Sequence, residues 1–274
     1  MNEHVGMDRV ESKDGTSIAY ERLGSGSPVI LVGGGLTDRS ENAPLARELA
    51  ARFTVFNYDR RGRGGSGDTL PYAVRREIED IEALLAEAGG SAHLYGVSSG
   101  GALALEAAAA QIAIDKLAVY EVPYSTDDDA AQQWQKYSAQ LGAALAEGRR
   151  GDALALFMRV AGSPEEAIAS ARESAQWPDL EAIAHTLAYD AACLGNLRPP
   201  TRRLKAITRP TLVVTGGATA EDPHMAELPS GFFDQAADAI AASIPLAERR
   251  TLAGQAHIVD PKALAPMLER FFSE

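Results

Sequence analysis

The chain has 274 residues, 46% of them apolar and 23% charged, with a formal net charge of −12. That is the balance of a globular protein with room for one large domain, or for a core plus a modest insertion. The negative charge argues against a phosphate backbone or an anionic membrane surface as partner, so neither nucleic acid nor membrane is expected, while a small neutral or anionic molecule as substrate is allowed because a local site can oppose the global charge. Cys193 is the single cysteine, which excludes an intrachain disulfide and fits a reducing compartment. Residues 1–9 lack the apolar core of a signal peptide, and no run approaches the ~18 apolar residues of a membrane span. The expected location is the cytoplasm; the oligomeric state has no signal in the sequence.

In chain order, Arg9 to Ser12 and Thr16 to Leu23 read as strands joined at the turn signal Asp14-Gly15. Pro28 to Val32 is a continuous apolar run ending in Gly33-Gly34-Gly35, the pattern of a strand buried on both faces. A helix over Pro44 to Arg52, a strand over Phe53 to Tyr58 and a Gly/Arg loop over Asp59 to Gly67 follow. Val74, Ile78, Ile81, Leu84 and Leu85 have helical spacing within Tyr72 to Ala88. Then come an apolar strand ending near Val97, an Ala-rich helix over Ala102 to Ala110 and a strand over Leu117 to Tyr120. From Pro123 to Arg198 no strand pattern is found. Helices are expected over Ala130–Glu147, Asp152–Val160, Pro164–Ser174 and Asp179–Cys193, too many for one crossover. The expected organisation is therefore a core of residues 1–122 and 199–274 with a helical cap, 123–198, inserted in it. Strand Pro210–Thr215, helix Phe232–Ser243, strand Glu248–Leu252 and helix Pro261–Phe272 complete the pattern. Strands alternating with helices predict a mostly parallel sheet covered on both faces, with ligands bound at the edge where the strands end.

Gly96-Val97-Ser98-Ser99-Gly100 is a G-x-S-x-G motif lying between a strand and a helix. That context is what a nucleophile elbow requires: a turn so tight that the serine is held in strained geometry with its hydroxyl exposed. The glycines stand where side chains would collide with neighbouring backbone.

Over nearly its whole length the chain resembles the α/β-hydrolase superfamily. Four features occur in the expected order: the apolar strand ending in a glycine turn, the loop Asp59-Arg60-Arg61-Gly62-Arg63-Gly64-Gly65-Ser66 matching D-x-R-G-x-G-x-S, the elbow, and the late turn Gly254-Gln255-Ala256-His257. The resemblance implies an α/β-hydrolase fold with a helical cap. The fold alone does not name a substrate.

Within this frame Ser98 is the expected nucleophile and His257, after the final strand, its base. The carboxylate that would orient the imidazole has two candidates. The turn after strand Pro210–Thr215, its usual place in the superfamily, has no acid until Glu221 and Asp222. Glu121, directly ending the preceding strand, is preferred because a rigid element positions it; Asp222 is the alternative, and a Ser–His dyad a third. Glu121 has an alternative reading too, as the partner of an arginine at the hinge of the cap. The oxyanion hole is expected from the backbone N–H of Ser99 and of Gly35, with Leu36 next. Gly33 stands where the superfamily often has histidine. Asp59, Arg60 and Arg61 read as structural groups that steady the elbow. Tyr124, Trp134, Tyr137 and Trp177 are candidates for the substrate pocket, although most cap aromatics must pack helix on helix.

The resulting expectation is a serine hydrolase that cleaves an ester, lactone or thioester of a small apolar molecule through an acyl-enzyme, with no metal and no organic cofactor. Two alternatives share the pocket: a lyase or cyclase using the Ser–His pair as acid and base, and a ligand-binding protein with vestigial catalysis.

Overall fold

The computed structural model describes residues 7–217 and 225–274. Its elements in order are β1 (Asp8–Glu11), β2 (Ser17–Leu23), β3 (Ser27–Val32), α1 (Ala43–Leu49), β4 (Phe53–Tyr58), α2 (Val74–Glu87), β5 (Ala92–Val97), α3 (Ser98–Ala109) and β6 (Ile114–Tyr120). Then come α4 (Asp128–Ala146), α5 (Arg150–Val160), α6 (Glu165–Arg172), α7 (Trp177–Ile183), α8 (Leu187–Leu194) and α9 (Thr201–Leu204). The chain closes with β7 (Thr211–Gly217), α10 (Phe232–Ser243), β8 (Ala247–Gln255) and α11 (Pro261–Ser273).

The eight strands form one sheet in the order β1-β2-β4-β3-β5-β6-β7-β8. β1 and β2 run antiparallel to their neighbours, and β3 to β8 are mutually parallel. The β1–β2 hairpin turns at the expected site, where the Asp14 carboxylate accepts from the Thr16 N–H and hydroxyl at 3.1 and 2.6 Å. Along β3 the side chains alternate between two cores. Val29 and Leu31 join one with α1 and α11, while Ile30 and Val32 join the other with α2 and α3. A strand buried on both faces has to be apolar throughout, which is the run seen in the sequence.

Two corrections concern the helices between β6 and β7. The single helix expected over Asp179–Cys193 is divided into α7, a 3-10 turn at Ala184–Thr186, and α8. The Thr186 hydroxyl donates to the Ile183 carbonyl at 2.7 Å, an alternative to the helical ladder at that point. The short α9 after Pro199-Pro200 was not expected. The insertion meets the core where α8 packs against α3 and α2. Among the described residues no helix is long and apolar enough to cross a membrane.

The sheet brings the functional loops together. β3 lies between β4 and β5, so the strand order reverses there, and such a switch point opens a crevice at the strand ends. In register, Val32 pairs with Gly96 and Val97 with Tyr120. Continued along the strands, this register sets Gly34, Ser98 and Glu121 side by side where the chain leaves the sheet. β8 ends at Gln255, two residues before His257.

Candidate active site

Ser98 occupies the junction of β5 and α3 with φ +55°, a left-handed backbone that a non-glycine residue adopts only under constraint. Close packing supplies the constraint. A side chain on Gly96 would stand 2.5 Å from the Gly100 carbonyl oxygen, and one on Gly100 would stand 2.2 Å from the Gly33 carbonyl oxygen. The two glycines let the elbow close against β3, and Ser98 remains partly exposed.

Glu121 is also left-handed, at φ +46°. Among the described residues its buried carboxylate has two partners: Oε1 accepts from the Gly216 N–H at 2.8 Å, and Oε2 lies 2.8 Å from His257 Nδ1. No arginine is among them. The partner of His257 is thus the carboxylate after β6. Asp222 lies outside the described residues. The His257 turn is held from the same strand end, because the Tyr120 hydroxyl donates to the Ala256 carbonyl at 2.6 Å. Downstream, Asp260 caps α11, accepting from the Lys262 N–H at 2.9 Å, with Pro261 in the first turn. The imidazole stacks on Phe233 at 4.9 Å between centroids and 13° between planes. Tyr120 and Phe233 carry no motif that would single them out in the sequence.

The turn after β3 faces the elbow. A Gly34 side chain would stand 3.3 Å from both Ser98 Cβ and Glu41 Oε1. Glu41 was missed by the sequence reading. Its carboxylate accepts from the Gly34 N–H at 2.7 Å and stands 3.1 Å from where a Gly33 Cβ would be. It thus takes up space that a side chain at position 33 would need. Glu41 is exposed as a residue, but crowding of its carboxyl group against the turn raises its pKa by desolvation, against the Gly34 hydrogen bond and the nearby His257, Arg63 and Arg60. The only hint in the sequence was the glycine where the superfamily often has histidine. Leu36, in the same turn, has φ +53°.

Behind the turn lies a buried ionic cluster. Arg60 forms two bonds to Glu77, at 2.7 and 2.8 Å, and one to Asp190 at 2.8 Å. Arg63 Nη2 reaches both Asp190 oxygens at 2.8 Å, and the Ser99 hydroxyl donates to Asp190 Oδ1 at 2.8 Å. Arg61 pairs with Asp80 and Asp14, whereas Asp59 accepts from Arg39 and from the Gly65 N–H. The Gly/Arg loop is therefore structural, as expected, but its charges also tie α8 of the insertion to the elbow. Burial pushes the Cys193 thiol beside this cluster up to about 12.

The aromatic candidates are all buried. The Trp134 N–H is used on the Gly195 carbonyl and that of Trp177 on Glu181, both inside the insertion. Trp134 and Tyr137 rings pack together at 4.9 Å. The Trp177–Glu181 and Trp134–Tyr137 contacts lie within single helices, α7 and α4, and the Trp134–Gly195 bond joins α4 to the end of α8. Tyr124 is buried, and among the described residues its hydroxyl has no hydrogen-bond partner. His93 stacks on Phe272, and His185 lies 3.2 Å from Asp68.

A strained serine after one strand, a His–carboxylate pair built from the ends of two others and a glycine turn facing the serine are the parts needed for acyl transfer. Comparison with known proteins identifies the family and the fold. Residues 29–267 match the model of the alpha/beta hydrolase family. An alpha/beta hydrolase of Sphaerobacter thermophilus DSM 20745 is 48% identical, with TM-score 0.84 over 97% of this chain and 100% of that one. A hydrolase of Pseudomonas aeruginosa PA01 is 24% identical, with TM-score 0.71 over 99% and 100%, a likeness of fold. The uncharacterized hydrolase YraK of Bacillus subtilis (strain 168) is 35% identical over 96 residues, 34% of this chain and 35% of that protein, so the match spans about a third of its length. By fold, site geometry and family match, this chain belongs to the alpha/beta hydrolase family.

Proposed function

We propose that the chain is a serine hydrolase that cleaves an ester, lactone or thioester of a small apolar molecule through an acyl-enzyme. Ser98 attacks the carbonyl carbon, and His257 Nε2 takes the hydroxyl proton. Glu121 holds the proton on Nδ1, keeping Nε2 free to accept, and stabilises the imidazolium that forms. The N–H groups of Ser99 and Gly35 receive the oxyanion. His257 then returns its proton to the leaving group, and water, activated by the same imidazole, releases the acid. The helical insertion acts as a cap over the site.

The observation that carries this reading is the 2.8 Å contact between His257 Nδ1 and the buried Glu121 carboxylate. It supplies an orienting acid for His257 from the end of β6, and so supports hydrolysis over the lyase or cyclase reading, which drew on a missing acid. The test is intact-mass spectrometry after treatment with a fluorophosphonate, on wild type, Ser98→Ala and His257→Ala. One adduct on wild type, lost in both variants, is expected. A folded wild type that takes no adduct refutes the acyl-enzyme reading.

A further inference from the structure

The two proposed oxyanion donors share a support that the D-x-R-G-x-G-x-S motif does not require. Arg61 fills the arginine position of that motif and is occupied by Asp80 and Asp14. Arg60 and Arg63 fall on its unspecified positions, yet both are almost fully buried. Arg63 Nη1 donates to the Gly34 carbonyl oxygen. That carbonyl and the Gly35 N–H are the two ends of one peptide plane, and in a trans peptide they point in opposite directions. Holding the carbonyl therefore aims the N–H. The preceding plane is also held, its Gly34 N–H by Glu41 at 2.7 Å.

Arg63 is itself fixed by Asp190, through two bonds from Nη2 at 2.8 Å. Among the described residues the Arg63 Nε–H has no partner, and the guanidinium is committed through its two terminal nitrogens, one to the turn and one to Asp190. The same Asp190 carboxylate accepts from the hydroxyl of Ser99, whose backbone N–H is the other proposed donor. Asp190 lies on α8, in the helical insertion. One carboxylate thus reaches both halves of the oxyanion site from outside the core.

We propose that Arg63 and Asp190 are positioning residues: Arg63 aims the Gly35 N–H by holding the far end of its peptide, and Asp190 keeps Arg63 and Ser99 in register. The oxyanion site is then in order only while α8 is seated. This rests on the serine-hydrolase reading.

The experiment compares wild type, Arg63→Ala and Asp190→Asn, each first shown to be folded by its melting curve. The probes are p-nitrophenyl butyrate as substrate and phenylboronic acid, whose tetrahedral adduct on serine places an oxygen where the oxyanion forms. Loss of one oxyanion donor lowers kcat by about 10²–10³-fold. Arg63→Ala is expected to approach the lower figure, with boronate affinity falling in parallel and KM little changed. Millimolar ethylguanidinium should restore part of kcat to Arg63→Ala and none to Asp190→Asn. Asp190→Asn, which keeps the shape of the side chain, should show a smaller fall in kcat with the same KM. Unchanged kcat, or a rise in KM with kcat and boronate affinity intact, overturns the proposal, because that is the signature of loosened packing alone. If Arg63→Ala does not fold, Asp190→Asn decides by the same criteria. Fluorophosphonate labelling separates the two levels: an unlabelled wild type overturns the hydrolase reading and this proposal with it, whereas a labelled wild type with fully active variants overturns only this proposal.

Discussion

Glu121→Gln is the sharpest probe of the site because it changes one property and spares the rest. Glu121 Oε1 accepts from the buried Gly216 N–H, and Oε2 faces His257 Nδ1. A glutamine can keep the first bond through its carbonyl oxygen, so no buried donor is stranded. The left-handed backbone at this position is no worse for Gln than for Glu. The amide NH2 then faces Nδ1. Nδ1 must accept, the ring proton moves to Nε2, and the imidazole presents a donor to Ser98 where a base is needed. The corresponding change in a serine protease lowers kcat by about 10⁴-fold, which is about 5 kcal/mol of transition-state stabilisation. Glu121→Ala is the contrasting variant. It loses the orienter and also strands the Gly216 N–H, adding about 1–3 kcal/mol of destabilisation. The assay is kcat on an activated ester beside the melting temperature of each protein. Glu121→Gln should melt near wild type and be nearly inactive; Glu121→Ala should be inactive and melt lower. A folded Glu121→Gln within tenfold of wild-type kcat would refute the reasoning and return Asp222 to consideration.

Other outcomes follow from the same geometry. Ser98→Gly should melt higher than Ser98→Ala, by about 2–4 °C for about 1 kcal/mol, since only glycine relieves the left-handed strain while both lack the hydroxyl; equal melting temperatures would mean that the elbow stores no strain. Gly100→Ala places a methyl group 2.2 Å from the Gly33 carbonyl oxygen, and should abolish soluble folded protein; a well-folded, active Gly100→Ala would show that the elbow has slack. In Asp14, burial raises the carboxyl pKa, but bonds to Arg61 and Thr16 and the Arg61 charge outweigh it and leave the group well below its usual 3.8. The stability it contributes is therefore present above about pH 3.8 and lost as pH falls toward the depressed value. Asp14→Asn should flatten the acid side of the stability profile, whereas parallel profiles would sink that assignment. Cys193, buried and with its thiol pushed up to about 12, should resist iodoacetamide at pH 8 in the native state and react after unfolding; rapid native alkylation would mean that α8 opens readily.

Local sequence determined the parts of this protein that depend on spacing. The elbow is legible because Gly96 and Gly100 are needed wherever a strand turns this tightly into a helix. β3 is legible because burial on both faces demands an unbroken apolar run, and the run of helices between β6 and β7 follows from where strand patterns stop and resume. Tertiary structure decided everything that joins distant residues. Glu121 meets His257 across 136 positions because the register sets Val97 beside Tyr120 and the Tyr120 hydroxyl holds the turn before His257, relations that no periodicity encodes. Asp190 reaches Arg63 across 127 positions because a 3-10 turn interrupts what reads as one helix and α8 packs on α3. Glu41 at the Gly34 N–H is a case of the same kind. A carboxylate carries no mark in the sequence of which donor it will find. The order of strands and the seating of helices settle that choice, and they are properties of the whole chain.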